Sequence, residues 1–327
     1  MPLHILPSEI PRRSFISTLL AASSGAAAVL SGSFSDLLQA ETVEGEESET
    51  WALLSDTHVA ADETVYARGV NMADHLRQAV DEVLHAHSRK KIAGLMVNGD
   101  CALLDGQAGD YRTLGALLEP VAGKGIPIHL TLGNHDDRST IQSGLASVFA
   151  PTSGGGRETG GRQRPELAGK LASRIRGRFC DWYLLDSLDQ TNVTPGRIGL
   201  EQLVWLEQSL KSSPERPALV MVHHNPQPGG SGKVSGIIDT DAFLSLLIER
   251  KQVKALFFGH THVAKTVEIE GLHLVNLPAC AYSFNAAQPT GWTSATVGPQ
   301  GCSLKLSDTK KTHVQHGQEA RLVWRSV

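Results

Sequence analysis

Residues 51–58 read Trp-Ala-Leu-Leu-Ser-Asp-Thr-His, an apolar run that stops at an Asp-Thr-His cluster. A short apolar run with a polar boundary is typical of a buried strand, and Asp56 and His58 follow this one directly. The same arrangement recurs four more times along the chain. The later clusters are Gly99-Asp100, Gly133-Asn134-His135-Asp136, His223-His224 and Gly259-His260-Thr261-His262. Helical periodicity separates these runs, and alternating strands and helices without repeats predict an α/β fold.

The clusters supply carboxylate, imidazole and amide groups, which is the mixed ligand set that Zn, Mn, Fe and Co accept. They contain more ligands than one ion needs. Two ions roughly 3.5–4 Å apart are the arrangement that clamps an in-line displacement at phosphorus. Glycines 99, 133 and 259 precede candidate ligands, where a larger side chain would crowd a tight loop. We therefore expect a two-metal site where the strands end.

Bulk composition indicates an ordinary globular protein of one large domain or two small ones. The chain has 327 residues, 41% hydrophobic and 20% charged, with a formal net charge of -4. This charge argues against a nucleic-acid-binding surface, so no nucleic-acid partner is expected. The four cysteines lack Cys-x-x-Cys spacing, which excludes a zinc ribbon or a redox motif but leaves their pairing open.

The first 40 residues carry the features of an export signal. Paired arginines at Arg12-Arg13 precede a mildly apolar run over 17–30, which is too weak and short to span a membrane. We expect residues 1–40 to be a twin-arginine signal peptide, recognised by the twin-arginine export machinery, and 41–50 to be an acidic linker. The protein would then be periplasmic or secreted, or membrane-associated if the signal stays uncleaved. The alternative is a tail in which the paired arginines are accidental.

The rest of the chain reads as one domain over 51–305, with 306–327 as a tail or a last strand. Strands are expected over 51–55, 92–97, 126–132, 179–185, 217–222 and 253–258, with a hairpin over 265–277. Helices are expected over 71–87, 110–118, 139–149, 200–210 and 240–249, the second closed by Pro120 and Gly123. The polar segment 151–170 predicts a mobile loop, either of no consequence or involved in substrate access.

In this order, the five clusters resemble those of the calcineurin-like metallophosphoesterase superfamily over residues 51–290. The string Gly-Asn-His-Asp-Asp-Arg at 133–138, together with His223-His224, is most similar to bacterial class III cyclic-nucleotide phosphodiesterases. The resemblance implies a four-layer α/β sandwich of two mixed β-sheets flanked by helices, with the active site at the carboxyl ends of strands. It also implies two divalent or mixed-valence transition metal ions, drawn from Mn, Fe, Zn and Co.

Carried over by motif, the resemblance assigns each candidate residue a role. Asp56, His58 and His262 would hold the first metal, Asn134, His223 and His260 the second, and Asp100 would bridge both, with His135 left uncoordinated to face the phosphate. Many relatives have an Asp three residues after the bridging carboxylate, but this chain has Leu103. Either Asp105, through a shifted loop, or another group would then orient His135. No Tyr follows the Gly-Asp motif closely enough for a purple ferric site.

We expect hydrolysis of a small-molecule phosphodiester, with cyclic nucleotides among the candidates, by a metal-bridging hydroxide. Asp100, Asn134 and His135 would be catalytic, Arg138 and His224 would contact substrate, and Asp105 and Asp136 would support them from outside the ligand shell. For Arg138 the alternative is a solvated side chain, and for His224 a residue that merely neighbours a ligand. A phosphomonoesterase of the same fold and a non-catalytic metal-binding scaffold remain as alternative functions.

Overall fold

The computed structural model describes residues 47–145, 162–165, 167, 169–227 and 234–327. The predicted signal segment, the linker up to residue 46 and most of the predicted loop 151–170 lie outside these residues. Within the described part of the chain, no helix has the length and apolar content that crossing a membrane requires.

The described residues form fifteen strands and five helices. The strands are β1 (Glu49–Ser55), β2 (Tyr66–Ala67), β3 (Val70–Asn71), β4 (Ile92–Asn98), β5 (Ile128–Thr131), β6 (Arg162–Gln163), β7 (Ser173–Arg176), β8 (Asp181–Leu184), β9 (Ala218–Met221), β10 (Val253–Phe258), β11 (Lys265–Ile269), β12 (Leu272–Asn276), β13 (Gly291–Gly298), β14 (Gly301–Asp308) and β15 (Glu319–Val323). The helices are α1 (Met72–Arg89), α2 (Ala108–Gly123), α3 (Arg138–Gly144), α4 (Leu200–Lys211) and α5 (Thr240–Glu249).

Thirteen of the strands form two mixed sheets. The six-stranded sheet has the order β15-β14-β13-β1-β4-β5, and β1, β4 and β5 run parallel in it. The seven-stranded sheet has the order β11-β12-β10-β9-β8-β7-β6, with β8, β9, β10 and β12 parallel. Parallel neighbours end at the same edge, so β1, β4 and β5 deliver their following loops together, as do β9 and β10. This placement is what brings the polar clusters into one region.

Alternation along β1 shows how the layers are built. Trp51 and Leu53 belong to the core between the two sheets, where the Trp51 and Trp182 rings lie 6.0 Å apart. Ala52 and Leu54 belong to a second core, which the apolar faces of α1 and α2 cover. This period of two sends successive side chains to opposite faces of the sheet. On the outer face of the second sheet, Tyr183 of β8 packs edge-on against Trp205 of α4. The expected four-layer sandwich of two mixed sheets is confirmed.

The expected end of the second helix before Pro120 is wrong. Helix α2 continues through Pro120 to Gly123. Proline removes only its own N–H bond, and in the last turn few bonds follow it, so the helix tolerates it there. Helix α3 ends at Gly144, and residues 146–149 of the longer helix expected there lie outside the described residues. Strand β15 falls within the segment for which the sequence left a tail or a last strand open.

Candidate metal centre

The five clusters meet at one place because three parallel strands of one sheet and two parallel strands of the other end there. Asp56 and His58 follow β1, Asp100 follows β4, Asn134 and His135 follow β5, His223 follows β9, and His260 and His262 follow β10. Three overlapping groups have ligand atoms that all lie within 4.8 Å of one another. These groups are Asp56-His58-His262, His58-Asp100-His135 and Asp100-His223-His260. The overlap through Asp100 places one carboxylate against both halves of the site.

Individual distances support this division into two halves. In the first half, Nε2 of His262 lies 3.3 Å from Oδ1 of Asp56 and 3.2 Å from Nε2 of His58. In the second half, Nε2 of His223 lies 3.2 Å from Oδ2 of Asp100. The same Oδ2 atom lies 3.8 Å from Nε2 of His58. Asp100 is thus positioned between the two halves, as the resemblance implied for a bridging carboxylate.

Backbone carbonyl groups fix the orientation of three imidazole rings. Nδ1 of His58, His223 and His262 faces the carbonyl oxygens of Leu103, Asn98 and Tyr282 at 3.4, 2.9 and 2.5 Å, respectively. A carbonyl only accepts, so each Nδ1–H donates and Nε2 is the ring atom that faces the site. Such partners set the tautomer and orientation of metal-ligating histidines.

Several buried polar atoms at the site have no hydrogen-bonding partner within the described part of the chain. They include Oδ1 of Asn134, Nδ1 of His260 and Nε2 of His223, which lies 3.2 Å from the Asp100 carboxylate but without hydrogen-bond geometry. Unpaired buried polar atoms are costly, and native structures rarely contain them without a reason. All three are atoms that coordinate transition metals, and all three residues fall in the expected second ligand set. The residues present therefore fit a bound metal.

The electrostatics also favour positive charge here. Burial alone would raise the pKa of Asp56, but the His262 and His223 imidazoles lower it to about 2. Burial opposes charge on His223, yet the Asp100 and Asp56 carboxylates raise its pKa to about 10. Burial lowers the pKa of His58 and His260 to about 4. The carboxylates thus stabilise a positive charge at His223, while the His58 and His260 imidazoles are neutral at pH 7. This environment suits a metal ion, which supplies positive charge and requires deprotonated ligands.

The loops that carry the ligands make unusually close backbone approaches. A Cβ at Gly133 would lie 2.1 Å from Oδ1 of Asp100, and one at Gly259 would lie 2.1 Å from Oγ of Ser55. Either contact would displace the loop that carries a ligand. The expected crowding at these glycines is confirmed.

His135 is oriented by a backbone carbonyl. Its Nδ1 lies 2.6 Å from the carbonyl oxygen of Leu104, and its N–H donates to Oδ1 of Asp100 at 2.9 Å. The Asp105 carboxylate is instead exposed and accepts a bond from Nε2 of Gln107. Asp105 therefore does not replace the Asp that many relatives have where this chain has Leu103. The other alternative is correct, because the Leu104 carbonyl orients the ring.

Asp136 lies fully buried behind the ligands and ties two ligand loops together. Its carboxylate accepts bonds from the backbone N–H groups of Cys101, Ala102 and Gly133 and from the Tyr111 hydroxyl. Burial, with a smaller effect of the nearby Asp100 charge, raises the pKa of Asp136 to about 6. The loop after β4 and the loop after β5 are thereby fixed relative to each other.

The structure places Arg138 and His224 away from the wall of the cleft. Arg138 makes a two-pronged ion pair with Asp186, with Nε–Oδ2 at 2.8 Å and Nη2–Oδ1 at 3.1 Å, and it also donates to the Leu188 carbonyl. His224 is buried, with Nδ1 2.7 Å from Oγ of Ser187 and its ring 4.8 Å from that of His260. Both side chains thus contact the scaffold that surrounds the ligands.

A cleft of about 550 Å³ opens over the candidate ligands, and three of the residues that line it were not predicted from the sequence. These residues are Arg68, Tyr282 and Phe284. Tyr282 stacks on His58 with ring centroids 5.0 Å apart, and Phe284 stacks on His262 at 4.1 Å. The Arg68 guanidinium lies 4.7 Å from the Phe284 centroid. None of the three belongs to a ligand motif, so the pattern of clusters gave no signal for them.

Comparisons with known proteins agree with this geometry. The model of the family described as "Calcineurin-like phosphoesterase" matches residues 50–264. The chain is 28% identical over 257 residues to the 3',5'-cyclic adenosine monophosphate phosphodiesterase CpdA of Pseudomonas aeruginosa, covering 78% of this chain and 84% of that protein. It is 28% identical over 262 residues to the Escherichia coli K12 protein of the same name, covering 77% and 83%. A dimetal phosphatase from Danio rerio has a similar fold, with a TM-score of 0.62 at 15% identity over 85% of this chain and 99% of that one.

Proposed function

Because the chain belongs to the calcineurin-like phosphoesterase family and is therefore a phosphoric ester hydrolase, we propose that it hydrolyses phosphodiesters with two bound transition metal ions. The observation that carries this proposal is the division of the ligand atoms into two halves with Asp100 between them, together with the unpaired buried atoms of Asn134, His223 and His260. Cyclic nucleotides are the favoured substrates, since the relatives at 28% identity are named for that activity.

Asp56, His58 and His262 would hold one ion and Asn134, His223 and His260 the other, with Asp100 between them. When bound, such ions supply Lewis acidity at phosphoryl oxygens and an activated water near neutral pH. The metals are drawn from Mn, Fe, Zn and Co, as the mixed oxygen and nitrogen ligands indicate.

His135 supplies the proton for the leaving group. The Leu104 carbonyl accepts from Nδ1–H, which leaves Nε2 as the ring atom that addresses the cleft. The bond from its backbone N–H to Asp100 fixes the residue beside the ligands. A protonated Nε2 can give its proton to the departing alkoxide, and general acids of this kind contribute about 10²–10⁴-fold in rate.

The test is metal analysis combined with a substrate panel on the purified full chain supplied with Mn. The panel contains bis(p-nitrophenyl) phosphate, p-nitrophenyl phosphate and cyclic AMP, with Asp100→Asn as the inactive control. We expect two equivalents of metal and a higher kcat/KM for the diesters. A preference for p-nitrophenyl phosphate would instead identify a phosphomonoesterase, and one bound equivalent in a fully active protein would refute the two-metal assignment.

The proposed location is outside the cytoplasm, by twin-arginine export. It rests on Arg12-Arg13 and the mildly apolar run that follows. Changing both arginines to Lys and fractionating the cells tests it, since unchanged export of the variant would refute the proposal.

A further inference from the structure

Arg68 occupies a backbone position that its residue type does not favour. Strands β2 and β3 pair as a hairpin, with Ala67 opposite Val70, so that Arg68 and Gly69 form a two-residue turn. Their φ angles are 52° and 80°, and positive φ at both central residues is typical of type I′ turns. Asn, Asp and Gly suit the first of these positions, whereas a long side chain strains the backbone.

The Arg68 side chain rests on an aromatic platform that is connected to the metal ligands. Its guanidinium lies 4.7 Å from the Phe284 centroid and 5.6 Å from the Tyr282 centroid, as in cation–π contacts. Tyr282 stacks in turn on His58, and Phe284 stacks on His262. A guanidinium has five N–H donors, so the hydrogen bond to the Tyr282 hydroxyl leaves others for a further acceptor.

The charge of Arg68 distinguishes it within the cleft. Of the described residues that line the cleft, it alone carries a permanently cationic side chain. Elsewhere, Arg77 pairs with Glu63 and Asp74, and Arg138 pairs with Asp186. Within the described part of the chain, no carboxylate forms an ion pair with Arg68, which contacts the rings of Tyr282 and Phe284 and hydrogen-bonds the Tyr282 hydroxyl. A positioned cation at the mouth of a cleft is suited to an anionic ligand.

We propose that Arg68 is a specificity-determining residue that hydrogen-bonds phosphate oxygens of the substrate, with Phe284 and Tyr282 holding its guanidinium in place. The planar fork of an arginine matches phosphate oxygens in two-pronged geometry. This inference deepens the proposed function and rests on it. The oxygens belong either to the phosphate that is cleaved or to a second phosphate attached to it.

The test uses Arg68→Asn in the metal-loaded full chain, because Asn favours positive φ and keeps the turn while the charge is lost. Lys311→Asn is the matched control, since Lys311 is an exposed cation with a φ of 58° outside the cleft. If Arg68 contacts the phosphate that is cleaved, we expect Arg68→Asn to raise KM for bis(p-nitrophenyl) phosphate about tenfold with kcat changed less than twofold, as loss of one exposed charge-assisted contact implies. Arg68→Lys should recover part of the affinity, and the Tm of Arg68→Asn should not fall.

Calorimetric measurement of the binding of inorganic phosphate and of ADP shows whether Arg68 contacts the phosphate that is cleaved or a second phosphate. If Arg68 contacts the phosphate that is cleaved, Kd for inorganic phosphate rises together with KM for the diester. If it contacts a second phosphate, Kd for ADP rises while binding of inorganic phosphate is unchanged, and KM for the single-phosphate diester then stays the same. Unchanged binding of both ligands, or equal losses in Lys311→Asn, overturns the proposal. A wild-type protein that hydrolyses no phosphoester refutes the proposed function, but the calorimetry still decides the role of Arg68.

Discussion

Replacing Arg138 by Ala separates two roles that the sequence left open, a substrate contact and a structural ion pair. Arg138 begins α3, directly after the loop that carries Asn134 and His135. Asp186 follows β8 of the other sheet and is fully buried. Its carboxylate also accepts bonds from the backbone N–H groups of Leu171 and Leu188. The ion pair therefore joins the two sheets beside the candidate metal centre.

The expected loss of unfolding free energy is large because the buried Asp186 carboxylate would keep its negative charge without the Arg138 guanidinium beside it. Removing one partner of a buried ion pair costs about 3–5 kcal/mol of unfolding free energy. Because the Arg138 side chain is 24% exposed, solvent screens the pair in part, and we expect the lower end of this range, about 3 kcal/mol. An exposed pair would contribute only about 0–1 kcal/mol.

The measurement is urea unfolding with chelator present, so that changes in metal affinity do not enter the result. Arg197→Ala is the control, because its pair with Asp189 has a 3.8 Å separation and both side chains are about half exposed. We expect Arg138→Ala to lose about 3 kcal/mol and Arg197→Ala less than about 1 kcal/mol, with KM of the folded variants unchanged. A stability loss under about 1 kcal/mol, together with a tenfold rise in KM, would refute the structural role and restore Arg138 as a phosphate contact.

Three further substitutions test the centre itself. Asp100→Asn is expected to lose bound metal and activity together, because the Asp100 carboxylate faces both halves of the site. Metal analysis and turnover measurements test this, and a variant that keeps both its metal and its activity would contradict the two-metal assignment. His135→Ala should retain its metal while kcat falls about 10²–10⁴-fold, whereas a loss of metal would show that His135 is a ligand. Gly133→Ala should reduce metal content, because its Cβ would lie 2.1 Å from Oδ1 of Asp100, and an unchanged metal content would argue against the close approach.

The two-sheet fold and the convergence of the clusters could be predicted because both depend on residue type. Apolar runs that end in ligand residues occur at β1, β4, β5, β9 and β10, and parallel strands bring their ends to one edge. Strands β13 and β14 escaped the prediction, and β15 was expected only as one of two alternatives for the last segment. Their burial alternates or is largely absent, and their place is decided by antiparallel pairing with β1 and with one another.

What orients His135 and what binds Arg138 could not be predicted, for two different physical reasons. The partner of His135 is the backbone carbonyl of Leu104, and every residue type offers such a carbonyl. The partner of Arg138 is Asp186, 48 residues further along the chain and on the other sheet. Arg68 escaped because its role depends on stacking with Tyr282 and Phe284, which follow a different strand and belong to no ligand motif.

Backbone strain concentrates at the candidate ligands, and this explains why the clusters have their composition. Five of the nine non-glycine residues with positive φ in the described chain are Asp56, His58, Asp100, His260 and His262. Such conformations cost about 1–3 kcal/mol each, and Asp and His tolerate them better than most residues. Glycine would relieve the strain at any of the five positions but would remove a ligand atom. The tight turns that aim alternate side chains at one point therefore lower the stability of the fold. Such a loss of stability is expected where ligand binding determines the residue type.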